Sequence, residues 1–148
     1  MVFSPLQSFN LEGKTAVVTG GAGILGRHFV TGLSSVGASV AVVDLHENAA
    51  RKVANEAGPN AFGFGCDVSD PSSVQRCVDD IVKKFGRIDI LHNNAATKTK
   101  DPNKFFTEFE NYPLDVWRDI MSVNIDGMFL MAQAVGRQFL NQGEGGAV

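Results

Sequence analysis

Apolar residues along this chain form short unbroken stretches, separated by segments in which they recur every three or four positions. The stretches are 15–19, 39–44, 61–66 and 88–92; the third, AFGFGC, is the weakest. Because they do not alternate apolar and polar residues, they predict parallel strands that are covered on both faces of a sheet.

Helical periodicity fills the three intervals between these predicted strands. The third interval has the clearest boundaries, because Asp70 can cap a helix, Pro71 suits its first turn and Gly86 can end it. The second helix is expected over 49–57 and stops before Gly58. The first is expected to present one apolar face, formed by Leu25, Phe29, Leu33 and Val36. This alternation predicts an α/β fold with right-handed crossovers.

A long segment, 97–112, follows the fourth predicted strand and exceeds an ordinary connection between a strand and a helix. We expect a loop insert with a functional role there. Pro113 then opens a long helix that ends near Gly143. The last four residues, GGAV, predict a glycine turn that enters a fifth strand. We expect the whole chain, 1–148, to form a single domain with a lead-in over 1–12.

Composition excludes several classes of function. Apolar residues make up 44% and charged residues 20% of the chain, which is typical of a globular protein. The net charge of −3 provides no basic surface for nucleic acid or for anionic membranes. No apolar stretch reaches the ~18 residues of a membrane span. We therefore expect a small-molecule substrate and neither nucleic acid nor a membrane as a partner.

The two cysteines and the N-terminal segment are relevant to the cellular location of the protein. Cys66 and Cys77 are the only cysteines and lack metal-ligand spacing, so we expect two reduced core thiols and no metal site. The opening segment, MVFSPLQSFN, has no positive charge ahead of an apolar run and does not predict a secretory signal. Both observations favour a cytoplasmic protein.

Three glycines lie where the first predicted strand meets the first predicted helix: Gly20, Gly23 and Gly26. Glycines at such a junction allow a tight turn, let a pyrophosphate approach the backbone and let the helix pack closely on the strand. The start of the helix also offers free N–H groups and a partial positive charge. The pattern predicts a dinucleotide site, with a glycine turn of no function as the alternative.

Asp44 ends the second predicted strand, 18 residues beyond Gly26. This is close to the ~20 residues expected for a carboxylate that binds an adenine ribose. Because a carboxylate repels a 2′-phosphate, Asp44 favours NAD over NADP. A strand end that merely faces water is the alternative interpretation. Methyltransferases that bind S-adenosylmethionine also combine a glycine turn with an acidic residue, but they have no use for the stretch Asn93-Asn94-Ala95.

Five landmarks together resemble the short-chain dehydrogenase/reductase family: the glycine turn, Asp44, Cys66-Asp67-Val68, Asn93-Asn94-Ala95-Ala96 and Val123-Asn124. The resemblance implies a Rossmann-type, doubly wound parallel sheet in the order 3-2-1-4, truncated at the start of the fifth strand. It implies that Asp67 and Val68 meet the adenine and that Asn124 serves the active site. The remaining residues of the implied cofactor site are Gly20, Gly23, Ile24, Leu25, Gly26, Asp44, Leu45, Asn94, Ala95 and Ala96.

The chain departs from the ordinary family pattern at two positions. Ile24 stands where the middle glycine of T-G-x-x-x-G-x-G is usual, which matches the T-G-x-x-G-x-x-G form instead. Since Gly23 frees the backbone one position earlier, we still expect cofactor binding. Ala96 replaces the glycine of N-N-A-G, and its methyl group is expected to narrow the cleft wall slightly.

The family's serine and its tyrosine with a lysine four residues later have no counterparts here. The only tyrosine, Tyr112, has Val116 four residues on and precedes Asn124. We therefore expect the cofactor-binding part of an NAD-dependent oxidoreductase that transfers a hydride between NAD and a carbonyl or alcohol. The 148-residue chain alone is not expected to catalyse this reaction. The alternative is a non-catalytic NAD-binding or assembly module.

The long helix and the insert carry further expectations. In the family this helix builds a subunit interface, which implies a homo-oligomer for a full-length protein. Its apolar face, with Phe129, Val135 and Phe139, lacks its usual neighbours here and predicts aggregation or reliance on a partner. The insert carries four aromatic residues and resembles that of members linked to sugar modification, which hints at a polyhydroxylated or anionic substrate. A loop that anchors these aromatics in the core is the alternative; they are Phe105, Phe106, Phe109 and Tyr112.

Overall fold

A four-stranded parallel sheet forms the centre of the molecule. The computed structural model describes residues 9–99 and 101–148, so residues 1–8 of the predicted lead-in lie outside the described residues. The strand order is β3-β2-β1-β4, as predicted. The strands are β1 (Thr15–Thr19), β2 (Ser39–Asp44), β3 (Ala61–Gly65) and β4 (Ile90–His92). β3 ends one residue earlier and β4 begins two residues later than the apolar stretches suggested.

Helices cover both faces of the sheet, which makes the fold doubly wound. They are α1 (Ile24–Ser35), α2 (Glu47–Ala57), α3 (Pro71–Phe85), the short α4 (Pro102–Phe105), α5 (Leu114–Met121) and α6 (Gly127–Gln142). Neighbouring residues of β1 point to opposite faces, so Val18 packs in a core with Val30 of α1 and Val53 of α2. Val17 packs on the other face with Ile81 of α3 and Met131 of α6.

The predicted signals of the third helix are confirmed in detail. The side chain of Asp70 accepts hydrogen bonds from the backbone N–H groups of Ser72 and Ser73, at 3.1 Å each. Pro71 occupies the first turn, and Gly86 ends the helix with a φ of +82°. This helix therefore has the same limits as the sequence indicated.

The predicted apolar face of α1 is wrong in part. Gly26 and Val30 lie on the buried face, whereas Leu25 is 65% exposed and Phe29 38% exposed. The reason is the close contact of Gly26 with the turn after β1, which rotates the helix so that glycine, not leucine, faces the sheet.

The long helix predicted from Pro113 to about Gly143 is present, with one interruption. Residues Ser122–Asp126 form a π-helical turn between α5 and α6. Val135, predicted on an unpaired face, is fully buried against the sheet, and Phe139 is partly buried. Phe129 is exposed, as predicted, and so are Ile125 and Met128 near the π turn.

Two segments outside the main helices complete the described structure. The insert is not an uninterrupted loop, because it contains α4 and a 3₁₀ turn over Phe109–Asn111. Near the end of the chain, Ala147 forms a parallel bridge with Ile90, in agreement with the predicted entry into a fifth strand beside β4. Within the described ranges, no helix is both long enough and apolar enough to cross a membrane.

Candidate cofactor site

The glycine turn after β1 brings the chain into unusually close contact with its neighbours. Gly20 has a φ of +62°, and a Cβ atom there would lie 2.9 Å from the Cα of Ala95. A Cβ atom on Gly26 would lie 2.1 Å from the carbonyl oxygen of Gly20. Because backbone atoms cannot yield as side chains can, both positions require glycine for the turn to keep this shape.

The turn leads into α1, whose N-terminus is not capped by a side chain. Gly23 is the N-cap of α1 and has no side chain to accept a hydrogen bond; its carbonyl oxygen accepts from Arg27. The N–H groups of residues 24–26 have no acceptor inside the helix, as in the first turn of any α-helix. The side chains of Ile24 and Leu25 are 83% and 65% exposed, so this helix start opens to solvent. It can bind an anion.

Asp44 lies beside this turn at the end of β2. One carboxylate oxygen accepts from the Ala22 N–H at 3.1 Å, and the other from the His46 N–H at 3.2 Å. The side chain is only partly buried, and Leu45 next to it is 62% exposed. Since each carboxylate oxygen has a second lone pair, Asp44 can still accept hydrogen bonds from a ligand.

The residues after β3 form the next part of the same edge. Asp67 is exposed and accepts hydrogen bonds from Ser69, from its N–H at 2.9 Å and from its hydroxyl at 2.6 Å. Val68 is buried and contacts α6, where a Cβ atom on Gly127 would lie 2.8 Å from a Val68 methyl carbon. The two residues predicted to contact adenine thus differ: Asp67 presents an exposed carboxylate, and Val68 presents a buried apolar side chain.

The stretch after β4 is joined to the glycine turn by a network around Thr19. The Thr19 hydroxyl oxygen accepts from the N–H groups of Asn94 and Ala95, at 3.0 Å each. The Asn94 amide donates in return to the carbonyl oxygens of Thr19 and Gly20. The two strand ends are therefore held together, and Ala95 forms the wall against Gly20.

Asn124 lies in the π turn and bonds to the start of the insert. Its side-chain oxygen accepts from the Thr97 N–H at 2.7 Å, and its amide donates to the Thr97 carbonyl oxygen at 3.1 Å. Asn93 also reaches this helix, because its amide donates to the Met128 carbonyl oxygen at 3.1 Å. The sequence did not identify the partners of Asn93 and Asn124; the side-chain amides after β4 and in the helix were the available signal.

A cleft of about 260 Å³ lies at the carboxyl ends of the strands and is lined by residues of these segments. Seven of the predicted site residues line it: Gly20, Asp44, Leu45, Asp67, Val68, Ala95 and Ala96. Gly23, Ile24, Leu25, Gly26, Asn94 and Asn124 do not line this cleft; the first four belong to the adjoining turn and helix start. The lining also includes residues that the sequence did not single out for the site: Val43, His46, Cys66, Thr97 and Val123.

A larger apolar pocket of about 670 Å³ lies between the insert and α5. The insert aromatics are not simply anchored in the core, because Phe106 is 79% and Phe109 91% exposed. Phe105, Phe109 and Tyr112 contribute to the pocket together with Trp117. The alternative in which the insert only anchors aromatics in the core is therefore not what the structure shows.

Comparison with known proteins decides the family. The family model for short chain dehydrogenases matches residues 14–148. The chain belongs to the short-chain dehydrogenase family. Among curated members, it is 39% identical over 143 residues to D-threitol dehydrogenase of Mycolicibacterium smegmatis, covering 95% of this chain and 52% of that protein. It is also 39% identical over 138 residues to sorbitol dehydrogenase of Cereibacter sphaeroides, covering 93% and 52%.

Solved structures of short-chain dehydrogenases have the same fold. A short-chain type dehydrogenase/reductase from Mycobacterium marinum superposes with a TM-score of 0.88 at 34% identity, over 97% of this chain and 55% of that one. NAD⁺-bound xylitol dehydrogenase gives a TM-score of 0.83 at 31% identity, over 93% and 52%. The chain thus spans about half the length of these relatives. Family membership favours neither the methyltransferase nor the non-catalytic module.

Proposed function

We propose that residues 1–148 form a single domain that binds NAD, and that a longer protein containing it transfers a hydride between NAD and an alcohol or carbonyl. The observation that carries the proposal is the uncapped start of α1 beside the Asp44 carboxylate. The first feature suits a pyrophosphate and the second suits a ribose. Gly20 and Gly26 let the turn pack closely on its own backbone and so keep this helix start in place.

Each predicted residue has a task in this proposal. The N–H groups of Ile24, Leu25 and Gly26 bind the pyrophosphate, and Asp44 accepts hydrogen bonds from the adenine ribose. Since a negatively charged Asp44 repels a 2′-phosphate, NAD is favoured over NADP. The remaining residues form the walls: Leu45, Asp67 and Val68 on the adenine side, and Asn94, Ala95 and Ala96 on the nicotinamide side. Asn124 holds the backbone at Thr97 and serves the active site.

The bound dinucleotide would supply or accept the hydride; the protein supplies binding and proton transfer. Within the 148 residues, Tyr112 is not followed by a lysine four positions on. We therefore propose that these residues alone bind NAD without catalysing hydride transfer. The substrate proposed for the longer protein is a polyol or a related sugar, supported by the similarity to a D-threitol and a sorbitol dehydrogenase.

Two further proposals concern the longer protein. A homo-oligomer is supported by the exposed apolar residues Ile125, Met128 and Phe129 near the start of α6. A cytoplasmic location is supported by two free cysteines that are not paired in a disulfide.

Titration with NADH tests the cofactor proposal. We expect nicotinamide fluorescence to increase when NADH binds and to increase less with NADPH. S-adenosylmethionine, added as a competitor, should not displace the bound NADH. Asp44→Ala should weaken NADH binding by about tenfold to a hundredfold, because it removes hydrogen bonds to a charged acceptor. Asp79→Ala, which removes an exposed carboxylate from α3, is the matched control and should leave the affinity unchanged. Equal affinities for wild type and Asp44→Ala would refute the assignment of Asp44.

A further inference from the structure

The only two cysteines of the chain lie in one core cluster, one directly after β3 and the other in α3. Cys66 follows β3 directly, and Cys77 lies in the second turn of α3. Both are free thiols, and their side chains are 4% and 3% exposed. The proposed NAD site gives neither of them a role.

The helix directs Cys77 towards Cys66. Ser73 and Cys77 are four residues apart and therefore lie on the same face of α3, one turn from each other. The Ser73 hydroxyl donates a hydrogen bond to the Cys66 sulfur at 3.8 Å, which fixes this face opposite Cys66. Both cysteines belong to the core cluster that also contains Val74 and Val78.

The surroundings make the two thiols chemically different. Interaction with Cys77 lowers the pKa of the Cys66 thiol, an effect that outweighs its burial, and the Ser73 hydroxyl lowers it further. Interaction with Cys66 and burial both raise the pKa of the Cys77 thiol. Cys66 is thus the better nucleophile, because the thiolate is the reactive form.

Cys66 is also within reach of a small reagent. Its atoms form part of the lining of the cleft, between Asp44 and Asp67. The cleft has a volume of about 260 Å³, which is large enough to admit hydrogen peroxide from this side. Cys77 is not among the residues that line this cleft.

We propose that Cys66 and Cys77 form an oxidation site in which a hydroperoxide converts the two thiols into an intramolecular disulfide. The Cys66 thiolate attacks one peroxide oxygen, giving a sulfenic acid and releasing hydroxide, which takes up a proton to become water. The Cys77 sulfur then attacks the Cys66 sulfur and loses its proton, and the sulfenic oxygen leaves as a second water. Two thiols are oxidised by two electrons and one hydrogen peroxide is reduced to two waters.

The sequence makes this disulfide easy to detect. Arg76 lies between the two cysteines, so trypsin places Cys66 in the peptide 53–76 and Cys77 in the peptide 77–83. The folded chain would be treated with hydrogen peroxide at low protein concentration, blocked with iodoacetamide, digested and analysed by mass spectrometry. We expect these two peptides to be linked to each other, and dithiothreitol to separate them.

Variants assign the two roles. In Cys77→Ser, Cys66 should still be oxidised and should be trapped by dimedone as a sulfenic acid, without any linked peptide. In Cys66→Ser, the loss of the Cys77 thiol should be slower by about tenfold or more, because the more reactive partner is missing. Circular dichroism before and after treatment verifies that each protein is folded; the wild-type result decides the proposal even where a variant does not fold.

Several results would overturn the proposal. One is that both thiols of the folded wild-type chain remain open to alkylation after peroxide treatment and unfolding in urea. Another is a linked peptide that forms only when peroxide is added in urea. A third is that Cys66 is oxidised in the wild type but only to a sulfinic acid or to a disulfide between two chains.

Discussion

Replacing Asp89 with alanine should destabilise the sheet at the end opposite to the candidate cofactor cleft. Asp89 is 6% exposed and precedes β4. One of its oxygens accepts from the Thr15 N–H at 2.9 Å and from Arg87 at 2.9 Å. The other accepts from Lys14 at 3.2 Å and from Arg87 at 2.5 Å. One buried carboxylate therefore binds the start of β1 and the segment before β4.

The expected loss of stability depends on whether water can take the place of the Asp89 carboxylate for each of these donors. Thr15 is 3% exposed, so its N–H would stay buried without an acceptor, at a cost of about 1–3 kcal/mol. Lys14 and Arg87 are partly exposed, and water can take the place of the carboxylate there. The free energy of unfolding should therefore fall by about 1–3 kcal/mol, and Tm by roughly 3–10 °C.

Urea unfolding, followed by far-ultraviolet circular dichroism, measures this difference. Asp89→Asn provides the informative comparison, because its side-chain oxygen can still accept from Thr15 while the charge is gone. We expect Asp89→Asn to lose less stability than Asp89→Ala, and the exposed-site control Asp79→Ala to lose almost none. If Asp89→Ala unfolded at the same urea concentration as wild type, the reasoning about the buried Thr15 N–H would be refuted.

The same carboxylate predicts how stability depends on pH. Burial alone would raise the pKa of Asp89, but the hydrogen bonds from Arg87, the Thr15 N–H and Lys14 outweigh it and hold that pKa below its ordinary value. A carboxyl group with a lower pKa in the folded state contributes stability above its unfolded pKa of about 3.9. That contribution is lost as the pH falls through the folded pKa. The stability difference between wild type and Asp89→Ala should therefore shrink in acid.

Three other substitutions test the cofactor side of the molecule. Gly26→Ala should weaken NADH binding in the same fluorescence titration by at least about tenfold, because its Cβ would displace the Gly20 carbonyl; an unchanged affinity would contradict this. Thr19→Val should lower the free energy of unfolding by about 1–3 kcal/mol in urea, since two N–H groups lose their acceptor; a neutral effect would show that other groups replace it. Asn124→Ala should speed trypsin cleavage within 97–112, as the insert loses both bonds at its base, and equal cleavage rates would argue against this link.

The fold could be predicted from local signals that tertiary contacts reinforce. The run Val40–Val43 is apolar on both faces and forms the buried centre of the sheet. Asp70 and Gly86 mark a helix because their effects act within one turn of the chain. Such signals need no knowledge of distant residues.

Features that depend on distant contacts were missed or wrongly predicted. The face of α1 is set by Gly26 against Gly20, so the pattern of large apolar residues misplaced Leu25 and Phe29. The π turn at Ser122–Asp126 has no clear local signature apart from a polar residue in an apolar helix. In the sequence, nothing near Asp89 indicates that it binds Lys14 and Thr15. These partners become apparent only from the parallel pairing of β1 and β4.

The candidate site could be predicted to a similar extent. Seven predicted residues meet in one cleft because the carboxyl ends of parallel strands share an edge of the sheet. The particular partners in the links from Thr19 to Asn94 and from Asn124 to Thr97 were not identified, because these residues are more than twenty-five positions apart in the sequence. That a dinucleotide binds in this cleft stays a prediction.

The two bonds between Asn124 and Thr97 divide the chain after β4 into regions that can evolve separately. Up to Ala95 the backbone is tied to Thr19 and cannot change length without disturbing the glycine turn. Beyond Thr97, insertions and deletions only alter a segment whose first residue is already held in place. Changes of length confined to this segment would therefore leave the glycine turn and the residues bonded to Thr19 undisturbed.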